Sequence, residues 1–335
     1  MTSQRRYSRQ TLFAPIGQEG QEKLLQSSVL IVGMGALGTA TASHFVRAGV
    51  GHVRFVDRDF VEWSNLQRQQ LFDEEDARQL LPKAQAAELK LKQINSSIHV
   101  EGIIADVSAE NLPSFLEGMD VIVDGTDNFE TRFLLNEASV KYGIPYAYGG
   151  VVSSRSLAAF FEPGKTPCLR CLISGGTSSE TCDTAGVISP AVTLTTSWQA
   201  ASTLKYLVDA KEERPGMMSC DIWTGQSHFF PYAKPKEQCP TCQKKQFPLL
   251  NGAERTTSVM CGRDSVQLHY EDAFQLDKVA TQLSPFGEVK KTPFLVRAHL
   301  DDDITFVIFP DGRVLIQGTT DSARARSLYS RFIGN

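Results

Sequence analysis

A glycine-rich turn between an apolar run and a helical pattern constrains the fold of this chain most strongly. Residues 28–33 read SVLIVG, a short aliphatic run typical of a strand buried on both faces. Gly33, Gly35 and Gly38 then form a GxGxxG pattern, and residues 36–48 have a helical pattern that ends at Gly49. Such a turn lets the backbone approach a phosphate, which the free N–H groups of the helix N-terminus can bind. The segment therefore predicts a nucleotide-binding α/β unit.

The residues that follow extend this pattern into a sheet. Asp57 ends a second predicted strand, 52–57, and lies 19 residues after Gly38, the usual place of a carboxylate that binds a ribose hydroxyl. Predicted strands and helices then alternate: strands 98–104, 119–124 and 144–148, and helices 83–94 and 129–141. Alternation of this kind predicts a mostly parallel sheet with helices on both faces and a ligand at the carboxyl ends of the strands.

Length and composition limit the number of domains and the class of protein. A chain of 335 residues predicts about two domains of roughly 150 residues. The hydrophobic content of 41% excludes a mostly disordered chain, and the net charge of −4 argues against a nucleic-acid partner. No apolar run approaches the ~18 residues of a membrane span, and the polar N-terminus lacks a secretory signal. We expect a cytoplasmic protein with no membrane partner, divided into residues 1–250 and a small α/β domain, 251–335, whose role the sequence does not reveal.

A cluster of polar and charged residues after Asp57 narrows the chemistry. Asn65, Arg68 and Gln69 follow it closely, and Lys83 opens the next predicted helix. Asp127 lies just past the strand 119–124. Cationic side chains bind a triphosphate, and a carboxylate binds Mg²⁺. This set of residues therefore favours an enzyme that catalyses attack on the α-phosphate of ATP.

Each residue also has a structural explanation, and two other functions remain open. Arg68 alone could be a surface charge, Lys83 an exposed first-turn lysine, and Asp127 a helix N-cap. GxGxxG with Asp57 is compatible with an NAD-dependent oxidoreductase, although the cluster has little use there. A non-catalytic, zinc-stabilised module that binds nucleotide or a protein partner is the other alternative.

Seven cysteines include two CxxC pairs, Cys168 with Cys171 and Cys239 with Cys242, separated by 67 residues. Four thiolates suit a closed tetrahedral Zn²⁺ site, which we favour over incidental cysteines. A redox-active CxxC is the less favoured alternative, because neither pair is predicted at a thioredoxin-like strand-to-helix turn. Of the three single cysteines, Cys182, Cys220 and Cys261, the last two are interpreted as structural.

Together these motifs resemble the ubiquitin-activating-enzyme superfamily, and within it the bacterial ThiF/MoeB adenylyltransferases. The motifs are the run Arg6-Tyr-Ser-Arg-Gln10, the GxGxxG, Asp57, Asn65-Leu-Gln-Arg-Gln69, Lys83 and Thr126-Asp-Asn128. The resemblance covers residues 6–242, about 70% of the chain, and the remainder resembles the C-terminal extension of Bacillus-type members. It implies a Rossmann-like ATP-binding domain that forms a homodimer.

The same resemblance implies the activity, the partners and the site residues. The enzyme would use ATP to adenylate the C-terminal glycine of a ubiquitin-like sulfur carrier ending in Gly-Gly, releasing pyrophosphate, for thiamine-thiazole or molybdopterin sulfur transfer. Asp57 would bind the ribose, Asn65, Arg68 and Lys83 the triphosphate, and Asp127 the Mg²⁺, with Gln69 beside them. Arg9 would reach into the partner subunit's site. The four paired cysteines would bind Zn²⁺.

Cys182 matches the family's mobile-loop cysteine, which attacks the adenylate or joins the sulfur relay. The alternative is an ordinary exposed loop cysteine. A relay of this kind would add a sulfurtransferase or a cysteine desulfurase to the expected partners.

Overall fold

The structure is a computed structural model that describes residues 3–173, 185–210, 215–252, 259–260, 265–270, 273–300 and 304–334. The chain separates into two compact units, Met1–Glu254 and Arg255–Asn335. No helix within these described ranges is both long enough and apolar enough to cross a membrane.

The first unit is built on an eight-stranded sheet of order β3-β2-β1-β4-β5-β6-β7-β8. The pairs from β3 to β5 are parallel, and those from β5 to β8 are antiparallel. The strands are β1 (Ser28–Val32), β2 (His52–Asp57), β3 (His99–Ile104), β4 (Val121–Asp124), β5 (Tyr146–Val152), β6 (Arg155–Phe161), β7 (Gly216–Asp221) and β8 (Gln226–Pro231). The predicted Rossmann-like parallel sheet is confirmed, with an antiparallel extension on one side.

Helices cover both faces of this sheet. They are α1 (Ser3–Arg6), α2 (Gly17–Gln26), α3 (Ala36–Ala48), α4 (Glu74–Gln79), α5 (Lys83–Ile94), α6 (Leu112–Leu116), α7 (Phe129–Tyr142), α8 (Leu169–Leu172) and α9 (Ser189–Leu207), with a 3₁₀ turn at Trp63–Asn65. Successive residues of β1 point to opposite faces. Val29 and Ile31 join a core with α3 and α5, whereas Leu30 and Val32 join a core with α6 and α7.

The glycine turn after β1 is packed too tightly for any other residue at two positions. Gly33 has φ of +90°, a conformation that favours glycine, and a β-carbon added there would lie 2.8 Å from the carbonyl oxygen of Gly125. A β-carbon on Gly38 would lie 1.8 Å from the carbonyl oxygen of Gly33. At Gly35 the nearest atom would be 3.9 Å away, so a methyl group has room.

The second unit contains a six-stranded antiparallel sheet of order β11-β12-β13-β14-β10-β9 and, among its described residues, two helices. Its strands are β9 (Val259–Met260), β10 (Ser265–His269), β11 (Gly287–Lys291), β12 (Val296–Leu300), β13 (Thr305–Ile308) and β14 (Arg313–Gln317). The helices are α10 (Leu276–Leu283) and α11 (Ser322–Phe332), and a 3₁₀ turn covers Ser284–Phe286. Residues of both helices and of the sheet share one apolar core, so a second small sheet domain is confirmed.

The two glycines Gly38 and Gly35 form a matched pair for a stability test. We expect Gly38→Ala to lower the free energy of unfolding by about 1–3 kcal/mol or more, because the backbone must shift to accept the methyl group. Gly35→Ala should change it by less than about 1 kcal/mol, since its methyl group meets no close neighbour. Urea unfolding of both variants measures the difference, and equal losses would contradict the packing described above.

Candidate functional site

Asp57 ties the end of β2 to the glycine turn. Its Oδ2 accepts a hydrogen bond of 2.6 Å from the N–H of Met34, and its Oδ1 accepts one of 2.7 Å from the N–H of Asp59. Burial raises the pKa of Asp57 above its ordinary value, although the Lys83 ammonium and the two N–H groups oppose the shift. The carboxylate therefore lies directly beside the turn, where a ribose hydroxyl would reach it.

Lys83 is a buried cation paired with a carboxylate that the sequence analysis did not single out. Its side chain is in the first turn of α5, and the residue is 2% exposed. The Nζ lies 3.1 Å from Oδ2 of Asp59, and the Lys83 N–H donates to the Asp59 carbonyl over 2.8 Å. The alternative of an exposed lysine is wrong. Its burial requires a partner of opposite charge, which Asp59 provides.

Asn65 and Gln69 are both buried, and Gln69 lies against the glycine turn. Asn65 Oδ1 accepts a hydrogen bond of 3.1 Å from the Glu62 N–H and holds the 3₁₀ turn in place. Gln69 is 2% exposed, and its Oε1 has no hydrogen-bond partner among the described residues. Its Nε2 lies 3.9 Å from where a β-carbon on Gly35 would be. A buried amide with an unused acceptor at this position could bind a ligand in the turn.

Arg68 is half-buried, and its guanidinium donates to the Ser64 carbonyl over 2.8 Å. No carboxylate of the described residues forms a salt bridge with it. No protein anion therefore neutralises its charge. A cation that binds phosphate must be available in this way.

The loop after β4 lies against the glycine turn and carries Asp127. A β-carbon on Gly125 would lie 2.3 Å from the Gly33 carbonyl oxygen, so the two loops are in direct contact. The side chain of Asp127 is exposed, and no described residue donates a hydrogen bond to its carboxylate. The N-cap alternative is wrong, because Asn128 is the N-cap of α7 and accepts from the Thr131 N–H over 2.9 Å. The Asp127 carboxylate is thus open to a cation.

Arg132, which the sequence analysis also missed, holds this loop. It is 8% exposed, and its Nη2 donates to the carbonyls of Thr126 over 2.8 Å and of Gly149 over 3.3 Å. Asp124, which is fully buried, accepts from the Thr126 N–H and hydroxyl and from the Tyr146 hydroxyl. Burial raises the pKa of Asp124, against the effect of the Arg132 guanidinium. The network fixes the backbone that carries Asp127. Arg132 is only five positions after Asp127, but the sequence gives no sign that its side chain is buried.

Arg9 lies far from these loops. Tyr7, two residues before it, packs on Gly49 at the C-terminal end of α3 and accepts a hydrogen bond of 2.9 Å from Asn95. The glycine turn is at the opposite end of α3, about 20 Å away for a helix of this length. Arg9 itself is exposed. Cys182 and Cys261 lie outside the described residues.

The four paired cysteines form a compact cluster in the first unit. Cys168, Cys171 and Cys239 are buried and Cys242 is partly buried, and their sulfur atoms all lie within 4.8 Å of one another. The Sγ atoms are 3.7 Å apart for Cys168 and Cys239 and 3.4 Å apart for Cys171 and Cys242. A tetrahedral Zn²⁺ with Zn–S bonds of about 2.3 Å requires S–S distances of about 3.8 Å. The donor set and spacing fit that ion closely.

Burial raises the pKa of two of these thiols, Cys168 and Cys242. It raises the pKa of Cys242 to about 11, with help from hydrogen bonds to Cys171 and Cys239, and it raises the pKa of Cys168 further. The pKa of Cys239 is lowered by hydrogen bonds from backbone and neighbouring thiols, in spite of its burial. Cys220, interpreted from the sequence as a core residue, lies on β7 and is only partly buried.

Comparison with known sequences gives a match over most of the chain. The sequence profile of the ThiF family matches residues 7–241. The sulfur carrier protein ThiS adenylyltransferase of Bacillus subtilis (strain 168) is 47% identical over 335 residues, 98% of this chain and 99% of that protein. The protein of the same name from Escherichia coli (strain K12) is 39% identical over 204 residues, 60% of this chain and 80% of the relative.

Comparison with solved structures identifies the same fold. A crystal structure of E. coli MccB with MccA-N7isoASN has a TM-score of 0.63 at 23% identity, covering 72% of this chain and 75% of MccB. At this identity the likeness concerns the fold alone. The family match and the full-length relative leave no reason to keep the oxidoreductase or the non-catalytic module: the chain belongs to the ThiF family and is an adenylyltransferase.

Proposed function

We propose that this enzyme uses ATP and Mg²⁺ to adenylate the C-terminal glycine of a ubiquitin-like sulfur carrier that ends in Gly-Gly, with release of pyrophosphate. The carrier is of the ThiS type, which serves thiamine-thiazole sulfur transfer. The match with the B. subtilis ThiS adenylyltransferase supports this choice over molybdopterin sulfur transfer, because it extends over the whole chain, including the C-terminal unit.

The observation that carries the proposal is the convergence of three loops at the carboxyl ends of β1, β2 and β4. Met34 contacts Asp57, Gln69 lies beside Gly35, and Gly125 packs on Gly33. The loops thus combine a phosphate-binding turn, a ribose-binding carboxylate and an open carboxylate. Parallel α/β sheets bind their ligands at this edge.

Each side chain has a role in this scheme. Asp57 binds the ribose, and Gly33, Gly35 and Gly38 let the backbone approach the phosphates. Asn65, Arg68, Gln69 and Lys83 contact the triphosphate. Asp127 would hold Mg²⁺, which supplies charge neutralisation at the phosphates when bound.

The reaction needs no activated nucleophile from the protein for its first step. The carrier's terminal carboxylate attacks the α-phosphorus, a bond forms between them, and pyrophosphate leaves. Negative charge that develops on the phosphate oxygens is stabilised by Lys83 and Arg68, so positioning and electrostatics supply most of the rate.

Two further parts of the site belong to the same proposal. Arg9 is exposed, and Tyr7, two residues before it, packs at the end of α3 opposite the glycine turn, which supports a homodimer in which Arg9 serves the partner subunit's site. Cys182 is the proposed covalent link to the activated carrier, and a sulfurtransferase or cysteine desulfurase would supply the sulfur. Loss of a carrier adduct in intact-mass spectra of Cys182→Ser tests that link.

Arg68→Ala tests the catalytic assignment. We expect ATP–pyrophosphate exchange in the presence of a ThiS-type carrier to fall at least about 100-fold, because one cation near the reacting phosphate is lost. ATP binding by calorimetry should persist. Arg78→Ala is the matched control, since Arg78 lies on α4 in a surface salt bridge with Glu75 and should leave exchange unchanged. An enzyme that exchanges with no Gly-Gly carrier, or an Arg68→Ala variant with full exchange, would refute the proposal.

Metal removal tests the zinc assignment. We expect about one Zn²⁺ per chain, and its removal by a chelator should lower the Tm by at least about 5 °C, because binding energy becomes folding energy. Affinity should rise with pH, since thiols with a raised pKa must lose protons to bind the ion. Cys239→Ser should lose the metal and Cys220→Ser should keep it. A Cys239→Ser variant that holds as much zinc as the wild type after dialysis would contradict the assignment.

A further inference from the structure

A second group of metal-ligating side chains lies at the amino-terminal ends of two strands of the same sheet, opposite the carboxyl ends that carry the proposed nucleotide site. His52 and His99 are the first residues of β2 and β3, and they are directly paired in the parallel register. Arg54 and Glu101 are the next pair on the same side of the two strands. The amino-terminal ends of the strands carry this group, roughly 16 Å from Asp57 along β2.

The donor atoms of three of these residues converge. The ring centroids of His52 and His99 are 4.4 Å apart, and His52 Nε2 lies 3.1 Å from Oε2 of Glu101. One ligand atom from each of His52, His99 and Glu101 lies within 4.8 Å of the other two. Bonds of about 2.1 Å to a tetrahedral ion need separations of about 3.4 Å. His99 is exposed and its ring forms no hydrogen bond with any described residue, so no protein contact opposes a small rotation of the ring toward the other two ligands.

Hydrogen bonds fix the backbone of both histidines and the side chain of Glu101. The N–H of His52 donates to the Ser27 carbonyl and that of His99 to the Gly51 carbonyl. Arg54 donates to Oε2 of Glu101 over 2.7 Å and to the carbonyls of Phe115 and Glu117. Arg54 and His52 both contact Oε2 of Glu101, and the Oε1 atom accepts no hydrogen bond from a described residue. Ligating carboxylates are themselves commonly oriented by such an outer hydrogen bond.

We propose that His52, His99 and Glu101 form a second metal site, which binds a divalent first-row transition ion with water in the remaining position. Two imidazoles and one carboxylate are a ligand set that Zn²⁺ and its neighbours accept, whereas Mg²⁺ and Ca²⁺ prefer oxygen. The ion bridges β2 and β3 at the edge of the sheet, away from the loops of the nucleotide site. It therefore stabilises the fold by mass action and takes no part in adenylation.

Cobalt titration of the full-length, untagged enzyme tests this site. The cysteine cluster, whose four thiolates bind Zn²⁺ more tightly, is first filled with one equivalent of Zn²⁺ per chain, and the remaining thiols are alkylated so that they cannot bind metal. We expect one Co²⁺ per chain in calorimetry, with the weak visible bands of a nitrogen and oxygen site and without thiolate charge-transfer bands. The Tm should rise with added Co²⁺.

His99→Ala, Glu101→Gln and the control His228→Ala complete the test. Loss of a residue that only hydrogen-bonds to a metal ligand weakens metal binding about 10- to 100-fold. Loss of a ligand itself should therefore weaken Co²⁺ binding by at least this factor. His228 is exposed on β8, so its variant should bind normally. ATP–pyrophosphate exchange should be unchanged in His99→Ala. No added Co²⁺ in the wild type, or binding that survives either ligand substitution, would overturn the proposal.

Discussion

The contact between the backbones of Gly33, Gly38 and Gly125 is the constraint on which the rest of the site depends. With no side chains between them, the turn after β1, the start of α3 and the loop after β4 lie within van der Waals distance. This contact sets where Asp57 meets Met34 and where Asp127 projects. A larger residue at Gly33 or Gly38 would separate the loops and so disperse every group proposed to bind ATP.

Two buried ion pairs lie around this contact, together with two charged side chains that have no salt bridge. Lys83 is almost fully buried against Asp59, and Arg132 is buried between Asp124 and two carbonyls. Removing one partner of such a pair leaves an uncompensated charge, so these side chains are held firmly. Arg68 and Asp127, by contrast, form no salt bridge within the described part of the chain, which leaves their charges accessible to a ligand.

Much of the parallel sheet follows from local sequence, and the rest depends on contacts between distant residues. The bounds of β2, α3 and α5 agree with the periodicity, because each presents an uninterrupted apolar pattern to the core. β11 was not predicted, since its residues are polar and largely exposed. α2 was not predicted either, and its Gly20 packs closely on Ile16 and on the distant Val208, a contact that the local sequence does not show. Motif spacing identified the cysteine cluster. Asp59 and Arg132 belong to no motif, and their contributions to the site, pairing with Lys83 and holding the loop after β4, depend on burial that the sequence does not reveal.

Trapping the activated carrier tests the central claim most directly. The wild-type enzyme is incubated with ATP, Mg²⁺, a ThiS-type carrier and hydroxylamine, and the carrier is analysed by intact-mass spectrometry. If the three loops form an adenylation site, the carrier's terminal glycine becomes a hydroxamate, and the product is absent when ATP is omitted or Lys83 is replaced by methionine. ATP hydrolysis without hydroxamate, or a hydroxamate formed equally well by Lys83→Met, would contradict the account.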